Sequence, residues 1–168
     1  MKGFTLLEAL ISLFIISVVL LFSMPYWEQS EQQFLQKEQQ NLYLFLRTIQ
    51  ARAENSSQIW LILANRNPVN NEWCLTAQVK RNQLCNCLTR QPCEKSLYAH
   101  FYYPQFPQKT VLISPKWYPT EVARFNGSRN TIDANCFVLQ AGGQRTLFSF
   151  FNIGTIRLKS GQPASACS

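Results

Sequence analysis

The sequence predicts an α+β chain. A long N-terminal helix, membrane-spanning in its first half and amphipathic in its second, packs on an antiparallel β-sheet head stapled by disulfides. Three observations carry this. Residues 4–24 are apolar apart from one charge, Glu8, and as a helix they span ~31 Å, enough to cross a hydrocarbon core. Residues 26–54 keep a helical period while turning polar on the other face. Beyond them come short alternating runs separated by turn residues, together with all six cysteines of the chain.

The apolar run comes first. A carboxylate among lipid tails is costly and must be neutralised or paired, which makes Glu8 the candidate assembly residue. A secretory signal would carry several basic residues, then an apolar core of roughly 7–15 residues, then a small-residue cleavage site. The far side here reads Met24-Pro25-Tyr26-Trp27 instead, and a three-residue leader with Lys2 ends in Gly3 before the run. On these residues the stretch KGFTLLEALISL resembles the class III signal of type IV pilins and pseudopilins.

The resemblance implies cleavage between Gly3 and Phe4 by a membrane prepilin peptidase, N-methylation of Phe4 and retention of the helix. Glu8 matches the family's acid, where it would meet the Phe4 amine of a neighbouring subunit and set register. From the residues alone, Glu8 reads instead as snorkelling to the interface near the end of a plain anchor, and the pilin-like run around it is what favours the register role. Pro25 falls where many pilins carry a helix-distorting proline, and it lacks an N–H to continue the ladder. The implied organisation is a leader over residues 1–3, a transmembrane and filament-core helix over 4–25, an amphipathic helix over 26–55, and a periplasmic head over 56–168. The implied partners are other pilins or pseudopilins through the helix, the prepilin peptidase and an inner-membrane assembly platform. The implied location is the inner membrane, single-pass, and then the pilus or pseudopilus.

In the second half of the helix, Trp27, Phe34, Leu35, Leu42, Leu46, Ile49 and Ala53 form one apolar stripe. Asn55-Ser56-Ser57 stops the run. If continuous from residue 4, this helix is ~75 Å long. The sheet opens at residues 59–63, turns through Asn65-Arg66-Asn67-Pro68 and Asn70-Asn71, and continues over 73–79. Residues 80–83 turn back into a strand over 84–88. The portion from Ala51-Arg52-Ala53-Glu54 to Trp73 is similar to pseudopilins of the GspH/FimT kind. Residues 95–119 are rich in aromatics and proline and read as a surface excursion covering a small core, with a strand over 110–114. Their interleaved Lys95, Lys109 and Lys116 leave nucleic-acid stacking as the alternative. The last third gives strands over 136–140, 146–151 and 155–159, the first two joined at Gly142-Gly143.

From Ser56 onward there are twelve Lys/Arg against four Asp/Glu, so the head is basic and suits polyanions, an acidic membrane surface or acidic neighbouring subunits. Gly154-Thr155-Ile156-Arg157 is similar to a Gly-Arg-x-Arg element that implies DNA binding in competence-type GspH/FimT proteins. Thr155 replaces its first arginine. The candidate DNA contacts are Arg157 and Lys159, with Arg145 as a third. The plainer reading is a charged edge strand that resists pairing.

An even cysteine count beyond a membrane anchor argues for disulfides. The expected set is Cys136–Cys167, tying down the C-terminal tail, with Cys74, Cys85, Cys87 and Cys93 pairing among themselves in an order the sequence leaves open. Their spacing, with His100 as the only histidine, does not fit a zinc ribbon, so no metal is expected. No nucleophile elbow, metal motif or phosphate loop stands in the chain, so neither an enzyme nor a cofactor is expected. The function expected is a minor pilin or pseudopilin acting as a structural or priming subunit. The alternatives are a DNA receptor for natural transformation and a minor pseudopilin of type II secretion.

Overall fold

The computed structural model describes residues 6–23, 26–89, 93 and 98–167. Two helices come first, α1 (Leu6–Ser23) and α2 (Tyr26–Ser56). Among the described residues the strands are β1 (Ile59–Asn67), β2 (Glu72–Val79), β3 (Ala99–Tyr102), β4 (Thr110–Ile113), β5 (Glu121–Asn126), β6 (Thr131–Ile132), β7 (Asn135–Ala141), β8 (Gln144–Phe151) and β9 (Thr155–Ser160), and a 3-10 turn (Ala164–Cys167) closes the chain. The chain separates into two compact units, Met1–Ser30 and Glu31–Ser168.

Straight-chain and branched apolar residues fill α1, and its leucines, isoleucines and Phe14 from Leu6 to Leu21 are exposed. Two of its hydroxyls bond locally: Ser12 Oγ donates to the Glu8 carbonyl at 2.9 Å and Ser17 Oγ to that of Phe14 at 2.8 Å. Among the described residues no helix is long and apolar enough to cross a membrane. As described, α1 covers 18 residues, ~27 Å, and the apolar segment read in the sequence continues at both ends into residues outside that description. Pro25 lies outside it too.

The stripe expected on α2 is the face that packs. Leu35, Leu42, Leu46, Ile49 and Ala53 are buried, and each of the larger ones contributes ~1.5–3 kcal/mol by leaving water. Phe34 meets Phe106 with ring centroids 4.8 Å apart. The helix runs to Ser56 and ends where Ser57 takes a left-handed φ of 53°. The side chain of Trp27 is outside the described residues.

The head has two antiparallel sheets where the sequence predicts one. The first has the order β3-β2-β1-β5-β6 and the second β4-β7-β8-β9. Alternation explains the split: Trp60, Ile62, Ala64, Leu75, Ala77 and Phe125 of the first sheet share one core with Phe137, Leu139, Phe148 and Phe150 of the second and with the α2 stripe. Phe150 joins the sheets, packing on Phe125 and Phe137 at 6.1 and 5.7 Å.

Other sequence expectations also shift. Asn65 and Arg66 stay in the β1–β2 ladder opposite Cys74 and Trp73, so the turn starts only after Asn67. Residues 84–88 form no strand. Gln78 takes their hydrogen bonds instead, donating through Nε2 to the Gln83 carbonyl at 2.8 Å and accepting from the Cys85 N–H at 2.7 Å. Disulfides then hold this loop against the first sheet beside the buried Asn65 and Gln78. Within residues 95–119, the expected excursion contains β3, because Tyr102 turns into the core. Strand β4 ends at Ile113.

Candidate functional site

Gly3 and Phe4 lie outside the described residues. Glu8 stands in the first turn of α1, exposed and among exposed leucines and isoleucines. A carboxylate there suits the positive end of the helix dipole. The surrounding surface can satisfy itself only against lipid or other apolar helices, and in either setting the carboxylate needs a cation or a proton.

The amphipathic helix is bonded to the head by polar contacts that the apolar stripe does not reveal. Glu38 is fully buried. Its carboxylate accepts from the Tyr102 hydroxyl, from the Gln105 N–H at 2.9 Å and from the Phe106 N–H at 3.1 Å. Burial, and then the bond to Glu38 and its charge, push the Tyr102 hydroxyl far above its ordinary range, so it stays a donor. Lys37 lies over the Phe106 ring at 5.6 Å. Further along, Thr146 Oγ1 donates to Gln39 at 2.7 Å, Gln50 Nε2 donates to the Gly154 carbonyl at 2.8 Å, and the Gly143 N–H donates to Glu31 at 3.3 Å. Sequence reasoning missed Glu38, although it stands three residues after Leu35 and four before Leu42, where the stripe calls for an apolar side chain.

Three disulfides staple the head: Cys74–Cys87, Cys85–Cys93 and Cys136–Cys167. No cysteine is free. Among the described residues no group of His, Cys, Asp and Glu could hold a metal ion. The third bridge draws the C-terminal turn onto the outer face of the second sheet, where Cys167, Val138 and Leu147 form a small cluster of their own. His100 stacks on Trp60 with centroids 5.7 Å apart, and its Nε2 accepts from Arg52 at 3.2 Å.

The structure places Arg145, Arg157 and Lys159 on that same outer face. Lys159 lies opposite Leu147 and Arg157 opposite Ser149, and Arg145 is two residues before Leu147 on β8. Arg157 and Lys159 are exposed on the edge strand β9, with the Arg157 guanidinium over the Phe151 ring at 5.0 Å. Arg145 is half-buried and spent on Gln140 Oε1, which accepts from its Nε at 2.8 Å. The two exposed cations are therefore available to an anion, and Arg145 is engaged.

Comparison with known proteins bears on the N-terminal segment. Residues 1–24 match the family model of the prokaryotic N-terminal methylation motif. The chain is a type IV pilin-like protein. This pilin-like chain is also 58% identical over 168 residues to an uncharacterized protein of Haemophilus influenzae, with 99% of each covered, and the two belong to one family. No solved structure matches it.

Proposed function

We propose that this pilin-like chain is a minor pilin or pseudopilin. It is a structural or priming subunit, without catalytic activity, of a filament assembled from the inner membrane. The observation that carries the reading is a methylation motif at residues 1–24 leading into an exposed apolar helix whose only charge is Glu8. The helix anchors the chain once in the membrane, leaves the disulfide-stapled head in the periplasm and then packs beside other subunits. Three disulfides suit an oxidising compartment. The motif is common to pilus and secretion filaments, and a place in type II secretion fits it as well as one in a pilus serving DNA uptake.

The test is processing. The intact mass of membrane-extracted protein is expected to lack Met1-Lys2-Gly3 and to carry one added methyl on Phe4. An uncut N-terminus in cells with active prepilin peptidase overturns the reading.

A second reading, DNA reception, is favoured by the exposed pair Arg157 and Lys159 on one strand face. Phosphate contacts release counterions, so binding would weaken steeply with salt and show little sequence preference. Reversing both charges is expected to flatten the salt slope by ~1 for each lost phosphate contact. Full-length protein that ignores duplex DNA at low salt excludes this reading and leaves the structural subunit intact.

A further inference from the structure

The head carries a cleft lined by its own residues. It has a volume of about 430 Å³ and lies between residues 86–89 of the disulfide-bonded loop and the chain leaving β3, within the ~300–1,000 Å³ usual for small-ligand sites. Its walls follow from the period of β3. Tyr102 turns inward to Glu38, so its neighbours Phe101 and Tyr103 turn outward. They are 38% and 59% exposed, with ring centroids 6.4 Å apart and planes inclined by 38°. Tyr103 is held in place: its hydroxyl donates to the Cys87 carbonyl at 3.2 Å, and Cys87 is bonded to Cys74 on β2. The Tyr103 face is thus presented to solvent in a fixed orientation beside Phe101, which lowers the entropy cost of stacking a ligand on it.

The polar groups around these rings narrow the ligand class. Glu72 supplies a carboxylate acceptor at the rim. Asn86 commits its Oδ1 to the Leu88 N–H at 2.9 Å, which leaves its amide N–H groups as donors. Thr89 donates to the Asn86 carbonyl at 3.0 Å, leaving its oxygen as an acceptor. Among the described residues no Lys or Arg lines the cleft, and the Glu72 carboxylate disfavours a phosphate or carboxylate ligand. A proline-rich peptide could stack on the rings, but its backbone offers mainly carbonyl acceptors, and Glu72 is an acceptor as well. A ligand with hydroxyl donors, an apolar ring face and an amide carbonyl satisfies every group.

We propose that this cleft binds a neutral N-acetylated saccharide. A pyranose face stacks on Tyr103 and Phe101, ring hydroxyls donate to Glu72, and the acetamido carbonyl accepts from Asn86. The proposal is independent of the filament reading, because it concerns the head alone and is tested on the isolated chain.

The experiment uses the full-length oxidised protein in a detergent without a sugar headgroup, titrated calorimetrically with tri-N-acetylchitotriose. Saturable binding is expected. Tyr103→Ala should weaken it by at least ~10-fold through loss of the stacking face. Tyr103→Phe, which keeps the ring, should stay within about threefold of wild type. Glu72→Gln, an exposed substitution that leaves the rings in place, should weaken binding severalfold because a charged acceptor is lost. Maltotriose, equal in length but without acetamido groups, should bind more weakly. Absence of saturable saccharide binding, unchanged affinity in both Tyr103→Ala and Glu72→Gln, or tight binding of a proline-rich peptide in place of the saccharide overturns the proposal.

Discussion

At the scale of single residues, the fold depends on a few groups that no periodicity announces. Glu38 holds three donors while fully buried. Tyr102→Phe removes one of them and is expected to cost roughly 1–3 kcal/mol, read as a lower urea midpoint with an unchanged slope. Gly127 answers a different constraint. A Cβ there would come within 1.8 Å of the Ala53 carbonyl oxygen, backbone against backbone, so neither side can yield by rotating a side chain. Gly127→Ala should therefore destabilise by roughly 1–3 kcal/mol or more, visible as a fall in Tm. His100 adds a pH dependence. Burial, and then the neighbouring Arg52 charge, lower its pKa below the usual 6.5. The unfolded chain thus takes up this proton first as pH falls, so the stability tied to neutral His100 is complete above about pH 6.5 and is lost as pH falls through the lowered value. His100→Gln should flatten that stretch of a stability–pH curve. A curve that keeps the same shape would mean the imidazole is not its source.

At the scale of elements, the C-terminal tail is the place to probe. Cys136–Cys167 closes a separation of 31 residues, for which restriction of the unfolded chain contributes ~3–4 kcal/mol. Replacing both cysteines with serine is expected to free the tail, so that limited proteolysis clips it beyond Ser160 before it touches β7 or β8. Tail cleavage no faster than in wild type would show that the small cluster of Val138, Leu147 and neighbouring side chains holds it unaided. The strands beneath were readable because short apolar runs flank the turn signal Gly142-Gly143, and α2 was readable because its stripe has one period. Residues 84–88 were misread for a physical reason: their alternating leucines and cysteines imitate a strand, but disulfides and Gln78 take the place of ladder bonds. Strand β3 was hidden because Tyr102 is its one buried residue, while Phe101 and Tyr103 line the cleft. The basic pair on β9 could be found from spacing alone. That Arg145 is engaged by Gln140 could not, because the β7–β8 turn brings those side chains together.

At the scale of the whole molecule, the chemistry divides between α1, an apolar helix with one carboxylate, and a basic head closed by three disulfides. Nothing in the head's core depends on Glu8, whose side chain is exposed in the first turn of α1. Replacing it should separate insertion from assembly. Glu8→Gln removes a charge that is costly to place in a bilayer, so membrane insertion should be retained or improved. The head's disulfides and thermal unfolding should be unchanged. If the carboxylate pairs with a neighbouring subunit's terminal amine, the variant loses the contact that fixes axial register and leaves that amine unpaired among apolar helices. Its incorporation into sheared filaments, measured by immunoblot against the cellular pool, should then fall several-fold while membrane levels stay level. Glu8→Asp should restore part of that incorporation, because it returns the charge one methylene short. Wild-type incorporation of Glu8→Gln would instead assign the carboxylate to snorkelling at the membrane surface, and the register of this subunit would rest on the packing of its apolar side chains.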